Sequence, residues 1–312
     1  MSFNPERFIE EKVAWLKSEI GREKAVAATS GGVDSTVTAV LGHKAVGKAL
    51  TVVFLDDGLM REGEPEEVTS MLRGQGLHVE LLDVKEDFFK ALRGVVDPEE
   101  KRKAFREAFY QTLGKAIRKH EARCLLQGTI AADIVETKGG VKTQHNVLEQ
   151  IGIAPSERYG FKVIEPLKEL YKPQVREVAK ALGLPKAVYE RKPFPGPGLA
   201  VRVVGEVTPD RVETVRKASK IVEEETADVE SFQAFAVLLD DKATGIKEGR
   251  RVLGEIVAIR VVASRDAMTA TVPRIPWETL ERIQSLITGK IPSVVKVLLD
   301  LTPKPPSTIE YE

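Results

Sequence analysis

The run AVAATSGGVDS, Ala25 to Ser35, constrains this chain more than any other stretch. Its first half reads as a buried strand, and the residues from Thr36 to Ala45 read as an apolar helix. Gly31 and Gly32 stand between them and allow backbone turns closed to residues with a Cβ, while the helix start offers unpaired N–H groups and the positive end of its dipole. Strand, glycine turn and helix in that order make a phosphate-binding loop of Ser30, Gly31, Gly32, Val33, Asp34 and Ser35, with the hydroxyls of Ser30 and Ser35 as further donors. The pattern G-x-x-x-x-G-K-[ST] occurs nowhere in the chain, and Asp34 sits where that loop would have a cation. A carboxylate beside a phosphate cradle is unfavourable unless a cation lies between them, so Mg²⁺ with Asp34 as a ligand is expected. The plainer alternative is a glycine-rich turn with Asp34 as a helix cap.

The residues around this loop alternate strand and helix patterns, which predicts an α/β fold with a doubly wound parallel sheet. Strands are expected at Ala25 to Thr29, Ala49 to Asp56, Leu77 to Asp83 and Ala122 to Gln127. Helices are expected from Glu64 to about Gly74, from an Asp97 cap with Pro98 in the first turn, and from Lys172 to Leu182 with Gly183 as the stop. The basic cluster Lys101, Arg102, Lys103 reads as a solvated helix face. Residues 138–162 lack clear periodicity, as a lid over a site would. RKPFPGPG, Arg191 to Gly198, holds three prolines and two glycines and breaks regular structure, so the domains are drawn as 1–188 and 189–312. Beyond it, strands at Leu199 to Val204, Gln233 to Leu239, Glu255 to Ala263 and Ser293 to Leu301, with helices at Pro209 to Thr226 and Pro276 to Ile287, read as a smaller α+β domain.

A length of 312 residues suits two domains, and 47 basic against 47 acidic residues give no bulk charge for nucleic acid or an anionic membrane. No run is long and apolar enough to span a bilayer and the N-terminus has no secretory pattern, so a cytoplasmic protein is expected. Cys124 is the single cysteine, which excludes an internal disulfide and any CxxC site, and the residue reads as a buried strand position. The four histidines, His43, His78, His120 and His145, match no metal-ligand spacing.

SGGVDS resembles the signature of the ATP pyrophosphatases, which split ATP between the α and β phosphates while adenylating a substrate. FLDDGLMR (Phe54 to Arg61), QGTIAADIVET (Gln127 to Thr137), PLKELYKPQVREVAKALGLP (Pro166 to Pro185), PFPGPGLAVRV (Pro193 to Val203), RDAMTA (Arg265 to Ala270) and KPPSTIEYE (Lys304 to Glu312) follow in the order found in the GMP synthase family. The resemblance covers essentially the whole chain and is to the ATP pyrophosphatase subunit of the two-subunit, archaeal type. It implies a ligase that joins ATP, XMP and ammonia into AMP, pyrophosphate and GMP. It also implies a C-terminal dimerisation domain, a homodimer, and a separate glutamine amidotransferase subunit as the ammonia source.

The resemblance implies ATP contacts at Ser30 to Ser35 and at Gly128 and Thr129, with Asp34, Asp133 and Lys142 as the catalytic residues and Mg²⁺ on Asp34. XMP contacts are implied at Arg61, Arg202, Lys247, Lys304, Ile309 and Glu310. Asp133 and Glu136 are three apart and share a helix face, which suits either a cation or a plain exposed acidic face. The sequence departs from the relatives at Asp57, where Asn or Thr is commoner, at Gln144 beside His145, where two histidines are usual, at Leu148 and Glu149 in place of a glycine pair, and at Lys247, where glutamine is frequent. The two prolines of the tail, Pro305 and Pro306, stiffen it into a positioned arm. Two other classes stay open at this point: an NAD synthetase or tRNA thiolase with the same loop, and a nucleotide-binding module without catalysis.

Overall fold

The computed structural model describes residues 3–131, 161–265 and 267–312. Compactness divides the chain into two units, Met1–Asp56 with Glu64–Val84 and Phe109–Arg191, and Asp57–Gly63 with Lys85–Ala108 and Lys192–Glu312.

In the first unit, β1 (Ala25–Thr29), β2 (Leu50–Asp56), β3 (Val79–Asp83), β4 (Cys124–Leu126) and β5 (Lys162–Ile164) form one parallel sheet in the order β3-β2-β1-β4-β5. Side chains alternate between its faces. Val26, Val53 and Leu125 bury against Leu113, Ala116 and Ile117 of α5 (Pro98–Lys119). Leu50 and Leu126 face the other way, toward α2 (Val33–Val46), so closely that a Cβ at Gly42 would stand 2.5 Å from Leu126 Cδ2. The sheet is therefore covered on both faces, which is why its strands read as continuous apolar runs. α1 (Pro5–Ile20), capped by Asn4, packs on α2 and on the helix Lys172–Ala181. α3 (Glu64–Gly74) packs on β2 and β3, and Cys124 is buried in β4.

In the second unit, β6 (Gln233–Lys247), β7 (Arg250–Val262) and β8 (Val294–Leu299) form a three-stranded sheet, antiparallel between β6 and β7 and parallel between β7 and β8. The helix Pro209–Glu225, capped by Thr208, packs on β6, and the helix Trp277–Lys290 packs on it and on β8. α4 (Lys85–Leu92) also belongs here, as does the start of α5, where Asp97 Oδ1 accepts from the N–H groups of Glu99 and Glu100 as the capping expectation requires.

Two local expectations are corrected. Leu199 to Val204 is not a strand: Gly198–Arg202 is a 3₁₀ turn, and only Val203 bridges to Leu238. Gly198 enters it with a φ of 61°, and the Leu199 N–H donates to Leu59 O at 2.8 Å, so this apolar run is buried as a turn. The basic cluster of α5 is not a solvated face either. Lys101 is fully buried, because the first turn of α5 lies against the main chain of Val203 and the tail, and Arg102 is largely covered there too. Lys103 alone of the three remains half exposed.

At the edge strand β3, Glu80 pairs with Lys119 and accepts from His120 Nε2 at 2.7 Å. The Lys119 ammonium holds the Glu80 carboxyl below its ordinary value, partial burial opposes this, and His120 adds to the lowering. A depressed carboxyl stabilises the fold above its unfolded pKa, and that stabilisation fades as the pH falls through the folded one. Glu80→Gln should flatten the acid limb of a melting-temperature profile and cost less than about 1 kcal/mol near neutrality. Calorimetry across pH 3 to 7 checks this, and an unchanged acid limb would remove Glu80 from the account.

Candidate active site

The strand order reverses direction on either side of β1, between β2 and β4, and ligands bind outside the carboxyl ends of parallel strands at such a point. The loop after β1 and the turn after β4 both open there. α2 begins at Val33 with Gly32 as its N-cap and no side-chain cap, so the cap alternative for Asp34 does not hold and the first-turn N–H groups face the loop mouth. The loop is held from within. Gly31 N–H donates to Thr29 Oγ1 at 3.2 Å, Ser30 N–H to Ser35 Oγ at 3.3 Å, and Ser35 Oγ donates to Gly32 O at 3.1 Å. Gly31 has a φ of 74°, and a Cβ there would lie 2.5 Å from both Arg191 Nη1 and Val68 Cγ2.

Gly128 presses on this loop so tightly that a Cβ on it would come within 2.9 Å of the Asp34 carbonyl carbon and the Ser35 nitrogen. Thr129, buried next to it, donates to Glu165 at 2.5 Å. Ser30 to Ser35, Gly128 and Thr129 are thus brought together as expected. Asp133 and Lys142, with Glu136, Gln144, His145, Asn146, Leu148 and Glu149, lie outside the described residues.

Two residues of this site carried no role in the sequence reading. Arg191 donates to Gly31 O at 2.8 Å and pairs with the buried Glu64 at the start of α3, so the loop main chain is gripped from behind. Lys172 Nζ meets Asp34 Oδ2 at 2.5 Å. Lys172 is the first residue of the helix Lys172–Ala181, where a cation opposes the helix dipole; that local anomaly was the available signal. The second carboxylate oxygen, Asp34 Oδ1, is buried without a hydrogen-bond partner among the described residues. No cluster of three potential ligands exists among the described residues. One buried, unserved carboxylate oxygen beside a phosphate cradle fits Mg²⁺, which takes one or two carboxylates and completes its shell with phosphate oxygens and water.

In the second unit, Arg61 lies with its guanidinium carbon 4.3 Å from the centre of the Phe194 ring and donates to Glu223 at 3.1 Å. Its loop is fixed by Arg216, which donates to Met60 O at 3.0 Å and to Gly58 O. Asp57 Oδ1 accepts the Leu59 N–H at 2.8 Å, a turn-making bond that Asn at that position would make equally well. Arg202, 1% exposed, covers the same Phe194 ring at 5.0 Å and the Phe235 ring at 3.9 Å. Its Nε and Nη2 donate to the two carboxylate oxygens of Glu310, at 3.0 Å each. Arg61, Arg202 and Glu310 therefore meet around Phe194.

The tail is a positioned arm. Arg260, fully buried, donates to Ile309 O at 2.8 Å, Thr308 O at 2.5 Å and Thr302 O at 3.1 Å, and pairs with Asp300 at 2.6 Å. Lys304 bridges to Ala270 through its main chain and donates from Nζ to Ala267 O at 2.8 Å. Lys247 is not brought to this group. It closes the far end of β6, twelve residues beyond Phe235, roughly 40 Å along a strand, and donates to Pro292 O.

Among the described residues no helix is long and apolar enough to cross a membrane. The family described as NAD synthase matches residues 5–196, and the GMP synthase C terminal domain matches residues 220–311. Among curated proteins, a subunit of the glutamine-hydrolyzing GMP synthase of Methanopyrus kandleri is 52% identical, over 99% of this chain and 100% of its own length. The corresponding GMP synthase subunit of Archaeoglobus fulgidus is 54% identical, over 98% and 99%. Among solved structures, NMN synthetase from Francisella tularensis aligns with a TM-score of 0.49 at 20% identity, over 64% of this chain and 79% of that one, too distant a likeness to bear on ligands. With its ATP pyrophosphatase loop at the switch point of a parallel sheet and half its residues shared end to end with these GMP synthase subunits, the chain belongs to their family.

Proposed function

We propose that this chain adenylates XMP with ATP and replaces the adenylyl group by ammonia, giving GMP, AMP and pyrophosphate. The observation that carries the reading is the buried, unserved Asp34 oxygen beside the bare first turn of α2. Together they prepare a site for a triphosphate with its metal ion. Xanthine O2 is a poor leaving group. Its attack on the α-phosphorus expels pyrophosphate and turns it into a good one, after which ammonia adds at C2 and AMP departs. Magnesium, held by Asp34 and the phosphates, supplies charge neutralisation when bound.

The N–H groups of Val33, Asp34 and Ser35 and the α2 dipole receive the charge that grows on pyrophosphate. Lys172 neutralises Asp34 in the ligand-free chain and offers its ammonium to phosphate oxygens once they arrive. Gly128 and Thr129 line the turn facing the loop, and we assign Asp133 to cation binding and Lys142 to phosphate counter-charge. Arg61, Arg202, Lys304, Ile309 and Glu310 serve XMP; apart from Arg61, residues 1–188 handle ATP, and 189–312 handle XMP and dimerisation. In a homodimer, Lys247 serves the partner protomer's nucleotide, since it stands far from Phe194 in its own chain. Ammonia comes from a separate glutamine amidotransferase subunit, and the assembly works in the cytoplasm.

The purified chain with ATP, Mg²⁺, XMP and ammonium should form AMP and GMP in equal amounts, and glutamine should not replace ammonium. Product chromatography decides it; XMP-independent AMP, or GMP formed from glutamine, would count against the reading. Asp34→Asn should lower AMP formation on the order of a hundredfold or more while leaving the circular dichroism spectrum unchanged, and near-normal turnover at ordinary Mg²⁺ would acquit Asp34. Lys304→Ala removes a charge-assisted contact and should weaken XMP by roughly ten- to a hundredfold, about 1.5 to 3 kcal/mol, with ATP little affected. Separate calorimetric titrations of XMP and ATP check this, and equal weakening of both would indicate a general defect.

A further inference from the structure

Lys101 is a fully buried lysine in the first turn of α5 to which the reaction as proposed gives no part. Its Nζ donates to Val203 O at 2.6 Å and to Glu312 Oε2 at 2.5 Å. These partners bracket one feature. Val203 follows Arg202 in the chain, Glu312 lies two residues beyond Glu310, and Arg202 and Glu310 are joined by two hydrogen bonds of 3.0 Å. A single ammonium therefore ties together the two segments that present the ion pair beside Phe194. Arg102 adds a second tie, donating to Glu312 O.

The bond is a poor stabiliser of the fold. A cation in a first helical turn opposes the helix dipole. Burial pushes Lys101 down and Glu312 up, each against its partner's help, so neither charge is at ease. Apolar residues of similar volume generally serve such positions at least as well for stability. What they do not supply is a donor with fixed directions to two acceptors on separate segments.

We propose that Lys101 is a positioning residue for the nucleotide site: through Val203 O and Glu312 it sets the distance and angle at which Arg202 and Glu310 face XMP. The proposal deepens the function above and rests on XMP being the substrate. Lys101 touches no substrate itself.

Three full-length variants test it: Lys101→Met, Lys101→Met with Glu312→Leu, and Lys101→Arg. Lys101→Met should raise KM for XMP by about tenfold or more, with KM for ATP and kcat at saturating XMP within about twofold of the wild type. It should also speed hydrogen exchange of the amides at 308–312 relative to β6 and β7. The double variant should recover the wild-type melting temperature, because no unpaired charge stays buried, and yet keep the raised KM for XMP. Lys101→Arg should recover part of the KM, having donors for both acceptors. If the double variant restored KM together with the melting temperature, Lys101 would be a packing residue and the proposal would fall. An equal rise in KM for ATP, or unchanged tail exchange in Lys101→Met, would overturn it as well. Wild-type protein inactive on XMP would strike the substrate reading alone, and the tail exchange would still decide whether Lys101 pins the two segments.

Discussion

The parallel pairing of β1 with both β2 and β4 is the constraint on which the first unit depends. Parallel neighbours require crossover connections, and reversal of the winding at β1 brings the ends of β1 and β4 to the same edge. The glycines follow from this. Gly128 has to pass the main chain of Asp34 and Ser35 at a separation that leaves no room for a Cβ, and Gly31 has to turn under Arg191 and Val68. The loop is fixed in front by its own serine and threonine hydroxyls and behind by Arg191. Little has to move for an anion to be received.

The second unit solves a different problem. Its expected substrate contacts come from stretches far apart in the chain, and no sheet edge lines them up. Buried cations do the arranging instead: Arg260 takes three tail carbonyls, Arg202 takes Glu310, and Lys101 takes Val203 and Glu312. The aromatic faces of Phe194 and Phe235 give the guanidinium of Arg202 a partner that needs no hydrogen bond. Such arrangements weaken a fold as readily as they strengthen it. Their return is directional precision, which an apolar core cannot give.

Much of the first unit was legible in the sequence, because its signals are local. Ala25 to Thr29 followed by SGGVDS specifies strand, turn and helix within a dozen residues, and Pro98 after Asp97 marks a helix start wherever it occurs. What escaped depended on distant partners. Lys101 looks like any lysine in a charged helical turn, and only the tail, more than two hundred residues on, makes it a buried one. Leu199 to Val201 has the residues of a strand, but Gly198 and its tight approach to Leu59 impose a turn. Arg191 opens the stretch RKPFPGPG, whose prolines and glycines signal only a break in regular structure. Lys247 is a charge at a matching position in the sequence, but how far a long β6 carries it from Phe235 is set by the strand's length and pairing, which the residue itself does not signal.

The tie at Lys101 spans 102 residues to Val203 and 211 to Glu312. Contacts of such separation close the largest loops in a chain and so form late, after local helices and hairpins have already settled. During synthesis Lys101 emerges from the ribosome long before Glu312 does, and its charge must wait in water for most of that interval. The phosphate loop, whose own contacts span only a few residues, can thus form long before the ties that bracket Arg202 and Glu310 close.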